Sequence, residues 1–503
     1  MGVGAGDLAQ SLPFLGDFGA LQDVGVRIRS ERFVAHPIAA TVLGASVTLA
    51  TPKGERMVNR SWWQGRTATL SWLVALVAGL LVAAAYPAVA ASSGGSKTPS
   101  IAVAPHYKLA GRANPAVPPT FSCQVTVPAQ CFGPAQIRAA YGIDKLAADG
   151  TGRNIVIIDA YSSPTIQHDL DLFDRVFELP AATVNIVAPD GLTPFDQADP
   201  NQTGWAGEIS LDVEWAHAVA PKAGITLVLA KSNDDADILS ATKYAVDHNL
   251  GDVISQSFGE DERCVTPEIA AAQHRVFQNA TVKGITLFAS SGDQGAAQPT
   301  CDGATFSKAV SSPATDPLVT AVGGTLLDAD GVTGAYHSET TWNEPDFESG
   351  GGGGFSTLTP TPIFQKQLHL PSRGLPDVSY NAGINTGVLA VWSTSGQGAN
   401  LLFIFGGTSA GSPQWAGLAA LAAQTRHARL GWLNPQLYAL SLVKPVYNAL
   451  FHDITTGDNT FHGEVFGDPT IPGFAAKKGW DAATGLGTPK ANTLVPVLGG
   501  KLP

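Results

Sequence analysis

A serine at the end of an apolar run is the first residue of this chain whose position suggests chemistry. Ser409 closes a Gly-Gly-Thr-Ser sequence that lies between the apolar run 401–405 and the alanine-rich stretch 414–424. The run predicts a buried strand, the glycine pair permits a tight turn, and Pro413 can begin a helix. A serine at such a strand-to-helix turn lies beside helix N–H groups that would stabilise developing negative charge. The turn therefore indicates a nucleophilic serine, although similar turns occur in many folds without chemistry.

Two carboxyl groups share one face of a predicted helix. Glu208 and Asp212 are four residues apart in the stretch 207–216, which has a helical pattern. Two like charges at this spacing destabilise a bare helix unless a shared proton or a hydrogen bond relieves them. The same face continues to Trp215 and Val219, which indicates partial burial rather than a solvated acidic surface. A buried carboxyl pair that shares a proton can provide a general base and the residue that orients it.

A third carboxyl group, Asp293, follows the predicted strand 284–290 in a Ser-Gly-Asp-Gln-Gly sequence. Taken alone, this segment predicts an ordinary aspartate turn between glycines. His217 also lies near the first two carboxyl groups. Its position between two alanines of the same helix predicts a packing or surface histidine rather than a base.

Short apolar runs alternate with helical stretches along the chain, and several runs end in Ser, Gly or Asp. This pattern predicts an α/β fold with a mostly parallel sheet flanked by helices, in one large domain from about residue 131 to residue 498. The carboxyl ends of such strands form the ligand crevice. Four polar residues lie at or just after predicted strand ends: Asp159, Ser255, Asp293 and Ser409. The predicted strands are 154–159, 225–230, 252–258, 284–290 and 318–323.

Composition and charge exclude one class of partner. The chain has 503 residues, of which 44% are hydrophobic and 14% are charged, as in a large globular protein. The formal net charge of −12 and the lack of a basic cluster argue against a nucleic-acid surface. The glycine run 350–354 has two interpretations: a flexible loop, or an edge strand along a substrate where side chains would obstruct.

The N-terminal region carries a targeting pattern. The apolar stretch 72–91 follows two arginines and ends in Ala-Val-Ala, which predicts a secretory signal peptide over 57–90. Because Met57 immediately precedes the basic part of this signal, we expect translation to begin there, which makes 1–56 a non-native or disordered extension. Residues 91–122 then form a linker or a short N-terminal segment. An uncleaved signal would instead anchor the protein in a membrane, since the stretch is long enough to span one.

The four cysteines are consistent with export to an oxidising compartment. Three pairings are possible. Cys123 and Cys131 are close in sequence, and Cys264 and Cys301 flank a helical segment and a strand, so we predict these two disulfides. The chain has no Cys-x-x-Cys and no Cys/His zinc spacing, which favours a structural role for the disulfides.

The serine and the three carboxyl groups together resemble the pattern of the sedolisin family, the serine-carboxyl peptidases. The resemblance rests on Glu208 and Asp212, the Ser-Gly-Asp-x-Gly turn at Asp293, and the Gly-Thr-Ser-Ala sequence at Ser409, in the family's order. It extends from about residue 120 to the end of the chain, and we assign 123–503 to a sedolisin-type peptidase domain. Four further segments match the family: 312–314, 321–325, 376–379 and 479–489.

This resemblance implies a subtilisin-like fold and the hydrolysis of polypeptides at acidic pH. In that mechanism Ser409 attacks the scissile carbonyl and Glu208 takes its proton. Asp212 holds Glu208, and Asp293 stabilises the oxyanion. A carboxyl group donates to an oxyanion only when protonated, and a glutamate with the reference pKa of ~4.3 remains a base well below neutrality. The nearest rival is an ordinary subtilisin with a histidine base in a His-Gly-Thr sequence, and that triplet does not occur here.

The resemblance also implies one structural calcium ion near the C-terminus. Asp453 and Asp481 would provide carboxylate oxygens, and Ile454, Lys477 and Gly479 would provide backbone carbonyls. Hard oxygen ligands of this kind suit calcium. Position 477 is usually glycine in the family, but only its carbonyl is needed. An aspartate turn beside a loop is the plain alternative.

Several properties stay open at this point. Sedolisins generally carry a long folded prosegment, whereas about thirty residues separate the signal exit from Cys123 here. Folding and activation then proceed without a prosegment, or a partner supplies it, or the sequence is incomplete. Both endopeptidase and tripeptidyl-peptidase activity fit the pattern, and we expect a secreted monomer. The alternatives are a catalytically silent sedolisin-like binding protein and a membrane-tethered ectoprotease.

Overall fold

The computed structural model describes residues 106–116, 120–464 and 467–501. The predicted signal peptide, the Met57 start and the extension before it lie outside these residues. Within the described part of the chain, no helix is both long enough and apolar enough to cross a membrane.

A mostly parallel sheet lies at the centre of the fold, in the strand order β13-β12-β8-β6-β3-β5-β4, with β18 also paired to β12. In chain order the strands are β1 (His106–Arg112), β2 (Cys131–Phe132), β3 (Asn154–Ala160), β4 (Val184–Val187), β5 (Gly224–Ala230), β6 (Val253–Gln256), β7 (Glu260–Asp261), β8 (Thr286–Ser290), β9 (Ala297–Pro299), β10 (Phe306–Lys308), β11 (Ser311–Ser312), β12 (Thr320–Ala329), β13 (Tyr336–Thr341), β14 (Asn343–Glu344), β15 (Ser349–Gly350), β16 (Gly354–Phe355), β17 (Gly374–Leu375), β18 (Val378–Asn381), β19 (Gly387–Val391), β20 (Leu401–Gly406), β21 (Phe451–His452) and β22 (Thr488–Pro489).

Neighbouring strands of this sheet are parallel except β12 and β13. Strands of this type are buried on both faces, as the apolar runs indicate. The prediction of an α/β fold with a mostly parallel sheet is therefore confirmed. The predicted strand 252–258 ends earlier, at Gln256, because the chain leaves the sheet there. The predicted strand 318–323 continues to Ala329, because β13 pairs with its second half.

Helices cover both faces of the sheet. In chain order they are α1 (Pro134–Ala140), α2 (Ile166–Phe177), α3 (Pro200–Val219), α4 (Asp235–Asp247), α5 (Pro267–Val282), α6 (Gly411–Arg426), α7 (Asn434–Ser441), α8 (Lys444–Leu450) and α9 (Ala491–Leu498).

Two of these helices, α3 and α6, are buried on almost all sides. They pack so closely that a Cβ atom on Gly417 would lie 2.7 Å from the Cβ of Val219. The start of α3 is earlier than the predicted stretch 207–216, because its polar first turn has no apolar pattern. Pro200 occupies the first turn, and the Asp199 side chain accepts a hydrogen bond from Asn201 N at 3.0 Å.

A second sheet has the order β1-β20-β19-β2. Its outer strand β1 lies within the segment 91–122 that the sequence analysis treated as a linker or short N-terminal segment. β1 runs antiparallel to β20, and His106 pairs with Gly406. The described chain therefore enters the fold beside the turn that carries Ser409.

Both predicted disulfides are present. Cys123 is bonded to Cys131, and Cys264 is bonded to Cys301. The first closes a short loop ahead of α1, and the second joins the segment before α5 to the loop between β9 and β10.

A buried ion pair joins the C-terminal helices to the sheet. Arg373 and Asp377 have fully buried side chains, and two guanidinium nitrogens of Arg373 donate to the two carboxylate oxygens of Asp377 at 2.8 and 2.6 Å. Asp377 also accepts hydrogen bonds from Ala321 N and from the Tyr438 hydroxyl, each at 2.8 Å. The charge of this carboxylate is thus balanced entirely within the protein.

We expect the substitution Arg373→Met to lower the free energy of unfolding by about 3–5 kcal/mol, because it leaves the buried Asp377 carboxylate without its cation. Denaturant titration of the purified protein measures this change. The matched control is Lys243→Met, which removes the cation of an exposed pair on α4 and should change stability little. Equal losses for the two variants would contradict the prediction.

Candidate active site

The serine predicted to be the nucleophile lies at a tight turn between β20 and α6. After Gly406, residues Thr408–Ala410 form a single 3-10 turn that leads into α6. Gly407 has a φ of +112°, and a Cβ at this position would lie 2.7 Å from Asp293 Oδ2. The positive φ and the close approach of the Asp293 side chain therefore both require glycine at position 407.

The side chain of Ser409 is held against the end of β6. Its Oγ donates to the carbonyl of Ser257 at 3.2 Å, and Ser257 Oγ donates back to the carbonyl of Ser409 at 3.4 Å. Ser409 is 8% exposed, so the hydroxyl lies at the edge of the protein interior. A small rotation of this side chain would redirect its proton toward the neighbouring helix α3.

Helix α3 carries the two predicted carboxyl groups, of which Glu208 lies beside this hydroxyl and Asp212 beside Ser257. Glu208 and Asp212 are completely buried, and their four carboxyl oxygens accept no hydrogen bond of good geometry within the described chain. Burial raises the pKa of Glu208 well above its usual value, and the charge of Asp212 raises it further. The nearby Ser409 hydroxyl acts in the opposite direction and lowers this pKa. The two groups therefore cannot both be ionised at low cost.

Asp159 is a third carboxyl group of this cluster, and the predicted site does not include it. It lies near the end of β3, is completely buried, and has no hydrogen-bond donor at either oxygen among the described residues. Burial raises the pKa of Asp212 well above its usual value, and the charge of Asp159 is the next cause. Its position at the carboxyl end of a central strand was the available sequence signal.

Asp293 lies on the other side of Ser409. Its Oδ1 accepts hydrogen bonds from Thr408 N and from Thr408 Oγ1, both at 2.8 Å. Its charge is near enough to raise the pKa of Glu208, after the larger effects of burial and of Asp212. The structure therefore brings together all four predicted catalytic residues.

The glycine run 350–354 supports the turn that holds Asp293. Gly350 N donates to the carbonyl of Asp293 at 2.9 Å, and Gly352 N donates to the carbonyl of Gly292 at 2.7 Å. A Cβ on Gly352 would lie 2.1 Å from the carbonyl oxygen of Ser291. The run is therefore packed backbone to backbone, and side chains are excluded by the protein itself.

Two histidines near the site have different roles. His217 is completely buried on α3, and its Nε2 lies 2.9 Å from the carbonyl of Pro180 and 3.1 Å from Asp174 Oδ1. These contacts make His217 an interior packing residue, one of the two positions predicted for it; that it is not a base stays a prediction. His106, which the predicted site does not include, lies near Asp293. Burial lowers the pKa of His106, and the charge of Asp293 opposes this effect.

Comparisons with known proteins identify the family. The model of the Subtilase family matches residues 199–447. Kumamolisin from Bacillus sp. (strain MN-32) is 34% identical over 396 residues, covering 76% of this chain and 66% of the relative. Sedolisin from Pseudomonas sp. (strain 101) is 34% identical over 271 residues, covering 51% of this chain and 42% of the relative. The chain thus spans between 42% and 66% of the length of these two relatives.

The fold agrees with these matches. The solved structure of Pseudomonas sedolisin, a serine-carboxyl proteinase complexed with two molecules of pseudo-iodotyrostatin, superposes with a TM-score of 0.63 at 27% identity. The superposition covers 73% of this chain and 98% of that structure. This chain belongs to the sedolisin family. Its subtilisin-like fold agrees with the prediction made from the sequence.

The segments that the sedolisin pattern assigns to calcium lie side by side. Gly479 N donates to Asp453 Oδ1 at 3.0 Å and to Oδ2 at 3.2 Å, and Lys477 N donates to Asp481 Oδ2 at 2.9 Å. Burial is the main cause that raises the pKa of Tyr447, and the charges of Asp453 and Asp481 both add to it. Both carboxyl groups therefore lie near the Tyr447 hydroxyl.

Backbone oxygens could complete this calcium site. The carbonyls of Ile454, Lys477 and Gly479 accept no hydrogen bond from the described residues, so their lone pairs are available. The described residues contain no cluster of three or more His, Cys, Asp or Glu side chains that could hold a metal. Two carboxylates and several carbonyls are nevertheless a donor set that fits calcium.

We expect this protein to lose stability as pH rises. The raised pKa values of Glu208, Asp212 and Asp159 mean that the folded state keeps protons that the unfolded state loses above about pH 4. The folded state therefore binds more protons, and the free energy of unfolding falls with increasing pH. The thermal unfolding midpoint should be lower at pH 7.5 than at pH 4 by about 5 °C or more.

Isosteric variants locate the cause of this pH dependence. The double variant Glu208→Gln/Asp212→Asn should reduce the difference between the two midpoints, whereas Asp346→Asn, on the exposed surface, should not. Calorimetry at the two pH values measures both. A midpoint that is equal or higher at pH 7.5 in the parent protein would contradict the prediction.

Proposed function

We propose that this chain is a serine-carboxyl peptidase that hydrolyses peptide bonds of polypeptides at acidic pH. The observation that carries the proposal is the burial of Glu208 beside the Ser409 hydroxyl, with Asp212 one turn away on the same helix. Membership of the sedolisin family supports the same reaction class, since the solved relative is a serine-carboxyl proteinase.

The reaction begins with the transfer of one proton. Ser409 Oγ forms a bond to the scissile carbonyl carbon while its proton moves to the Glu208 carboxylate. Collapse of the tetrahedral species breaks the C–N bond, and Glu208 protonates the leaving amine. Water then attacks the acyl ester on Ser409, with Glu208 accepting a proton from the water. Cleavage of the ester returns a proton to Ser409.

Asp212 and Asp159 set the protonation state of the base. Burial allows little negative charge in this cluster, so Glu208 is ionised most easily when its neighbours are protonated. A protonated Asp212 donates a hydrogen bond to ionised Glu208 and orients it toward Ser409. Such an arrangement requires acidic solution, because high pH removes the protons that hold it together.

Asp293 supplies the hydrogen bond to the oxyanion. Its Oδ1 is occupied by two donors from Thr408, which leaves Oδ2, beside Gly407, for a proton. A protonated Oδ2 can donate to the oxygen that becomes negative in the transition state. This role also requires acidic solution, because an ionised carboxylate has no proton to donate.

Two further properties form part of the proposal. The protein is secreted, which the signal pattern over 57–90 and the two disulfides support. It binds one calcium ion through Asp453, Asp481 and the carbonyls of Ile454, Lys477 and Gly479. A calcium ion there would cross-link the segment after β21 to the segment before β22, which raises stability without taking part in the chemistry.

We expect the substitution Glu208→Gln to lower kcat/KM by about 10²–10⁴-fold, because an amide cannot accept the serine proton. The matched control is Glu214→Gln on the same helix. Glu214 is also buried, but its carboxylate accepts a hydrogen bond from Val391 N at 2.8 Å, away from Ser409. Initial rates on an unbiased peptide library from pH 3 to pH 8 measure the effect, and circular dichroism checks the fold of each variant.

Three results would contradict the proposed mechanism. The first is near-parental activity of Glu208→Gln. The second is a parental rate profile that peaks at pH 8 with no acidic activity. The third is the failure of a peptide aldehyde to label Ser409 at acidic pH, which would favour a catalytically silent relative.

We expect removal of calcium by a chelator to lower the thermal unfolding midpoint, and re-addition of calcium to restore it. The substitution Asp453→Asn should abolish the calcium-dependent difference, because it removes a carboxylate ligand. Asp468→Asn, in the loop between the two segments, should retain it. An unfolding midpoint that does not respond to the chelator would contradict a structural calcium ion.

A further inference from the structure

The glycine run 350–354 supports the turn of Asp293, yet glycine has no side chain that could fix the run itself. The backbone of the run is bonded to the turn at several points. The carbonyl of Gly350 accepts a hydrogen bond from Gly295 N at 2.8 Å, and Gly353 N donates to the carbonyl of Gly295 at 3.3 Å. The position of Asp293 therefore depends on what else holds the glycine run.

The side chain of Asn459 holds the glycine run from a separate segment of the chain. Its Nδ2 donates to the carbonyl of Gly351 at 3.1 Å and to the carbonyl of Gly353 at 3.4 Å. The side chain is completely buried, and its Oδ1 accepts a hydrogen bond from Phe474 N at 2.7 Å. Because both ends of the amide group have backbone partners, the orientation of this side chain is fixed.

The backbone of Asn459 also contacts the Asp293 turn directly. Its carbonyl accepts a hydrogen bond from Ala296 N at 2.8 Å, three residues after Asp293. A Cβ on Gly295 would lie 2.3 Å from the same carbonyl oxygen, so the two backbones approach each other as closely as glycine allows. Asn459 is therefore in contact with both the turn and the glycine run that supports it.

The segment that carries Asn459 is ordered by strand-like pairing. Asp458 pairs with Ala475, and Phe461 pairs with Ile471, both in the antiparallel sense. These two bridges join the ends of one loop, and Asn459 lies between the first residues of the two pairs. The amide group is therefore held in a paired segment.

The oxyanion role of Asp293 depends on this support. Its Oδ1 accepts two hydrogen bonds from Thr408, so Oδ2, beside Gly407, is the oxygen left to face the oxyanion. A misplacement of a catalytic group by about 1 Å can lower the rate by about 10²-fold. Because a shift of the glycine run would shift the turn, the hydrogen bonds of Asn459 help to set where Oδ2 lies.

We propose that Asn459 is a positioning residue of the active site, which fixes the glycine run and so directs Asp293 Oδ2 toward the oxyanion. The proposal rests on the proposed peptidase function. Asn459 acts through the turn and not on the reacting atoms. Its loss should therefore destabilise the transition state and leave the binding of substrate nearly unchanged.

Two ligands separate this role from a general loss of structure. One is a peptide aldehyde, and the other is the same peptide with a primary alcohol in place of the aldehyde. With the aldehyde, Ser409 Oγ bonds to the carbonyl carbon and its proton moves to Glu208. The electrons of the C=O double bond pass to the oxygen, which faces Asp293, and no group leaves. The alcohol forms no such adduct, so the ratio of the two affinities reports the adduct and its oxyanion.

We expect Asn459→Ala to weaken binding of the aldehyde by about tenfold or more and to leave binding of the alcohol within about threefold. In hydrolysis, kcat should fall by about the same factor as aldehyde binding, while KM stays within about threefold. Titration calorimetry and initial rates at acidic pH measure these values, and circular dichroism checks the fold. If Asn459→Ala does not fold, Asn459→Asp provides the comparison, because a carboxyl group has at most one donor where the amide has two.

Asn434→Ala is the matched control. Asn434 is equally buried, and its Nδ2 donates to the carbonyls of Pro317 at 3.3 Å and Val319 at 2.8 Å. Its Oδ1 accepts a hydrogen bond from Thr320 Oγ1 at 2.8 Å. These partners lie at the start of β12 and belong neither to the Asp293 turn nor to the glycine run. The control should lower stability and keep the parental affinity ratio and the parental kcat.

Two results would overturn the proposal: a parental affinity ratio in the folded Asn459 variants, or an equal loss of that ratio in Asn434→Ala. The parental protein separates this inference from the proposed function. If it prefers the aldehyde and the Asn459 variants keep that preference in full, the peptidase function stands and the role of Asn459 is refuted. If the parental protein itself binds the aldehyde no more tightly than the alcohol, the proposed peptidase function is refuted, together with the role derived from it.

Discussion

The burial of carboxyl groups on helix α3 is the constraint on which the rest of this structure depends. Glu208, Asp212 and Glu214 lie on one helix that is enclosed on nearly all sides, so none of them is hydrated as a free carboxylate. Burial of an ionised carboxyl group without a partner costs several kcal/mol, and a proton removes most of that cost. The fold therefore keeps protons where an exposed acidic helix would lose them. A buried carboxyl group that keeps its proton can orient a neighbour by donating a hydrogen bond, and the ionised member of a pair that shares one proton can act as a base.

Close backbone packing holds these groups in position. Gly407 leaves just enough room for Asp293, and Gly417 lets α6 approach α3, so the serine helix and the base helix are tightly packed against each other. Gly352 brings a second chain segment against the turn of Asp293. Each contact excludes a side chain, and each fixes an element that carries a catalytic group. The rigidity of the site thus comes from glycines in several distant segments, rather than from extra hydrogen bonds to the catalytic side chains.

Local patterns in the sequence predicted most of the fold and the three carboxyl groups around Ser409. The strands are buried on both faces and therefore appear as apolar runs, and Glu208 and Asp212 have a spacing that only a helix explains. Other features depend on contacts between distant segments, which no local pattern contains. The role of the glycine run 350–354 follows from its packing against Asp293, and His106 reaches the site because β1 pairs with β20. Asp159 lies at a predicted strand end, but only the packing of α3 against β3 brings it to Glu208 and Asp212. The sequence analysis missed the early start of α3 because its first turn is polar. Capping by Asp199 defines this start, and no repeat of apolar residues marks it.

Buried carboxyl groups that lack a hydrogen-bond donor or a cation lie at one edge of the parallel sheet, where the strands have their carboxyl ends. Asp377 and Glu262 are also buried, yet donors or a cation balance each of them. Among the described residues, the fully buried carboxyl groups with no hydrogen-bond donor at either oxygen are Asp159 at the end of β3 and Glu208 and Asp212 on α3. Parallel strands bring their carboxyl ends to one edge, so these costly groups are concentrated there and not spread through the core. A buried acid without a partner is retained at a stability cost, which is reasonable where a transferred proton or an incoming substrate completes its interactions. At Glu208 the interaction that completes the buried carboxyl group is the proton transferred from Ser409, which is the physical basis of its proposed catalytic role.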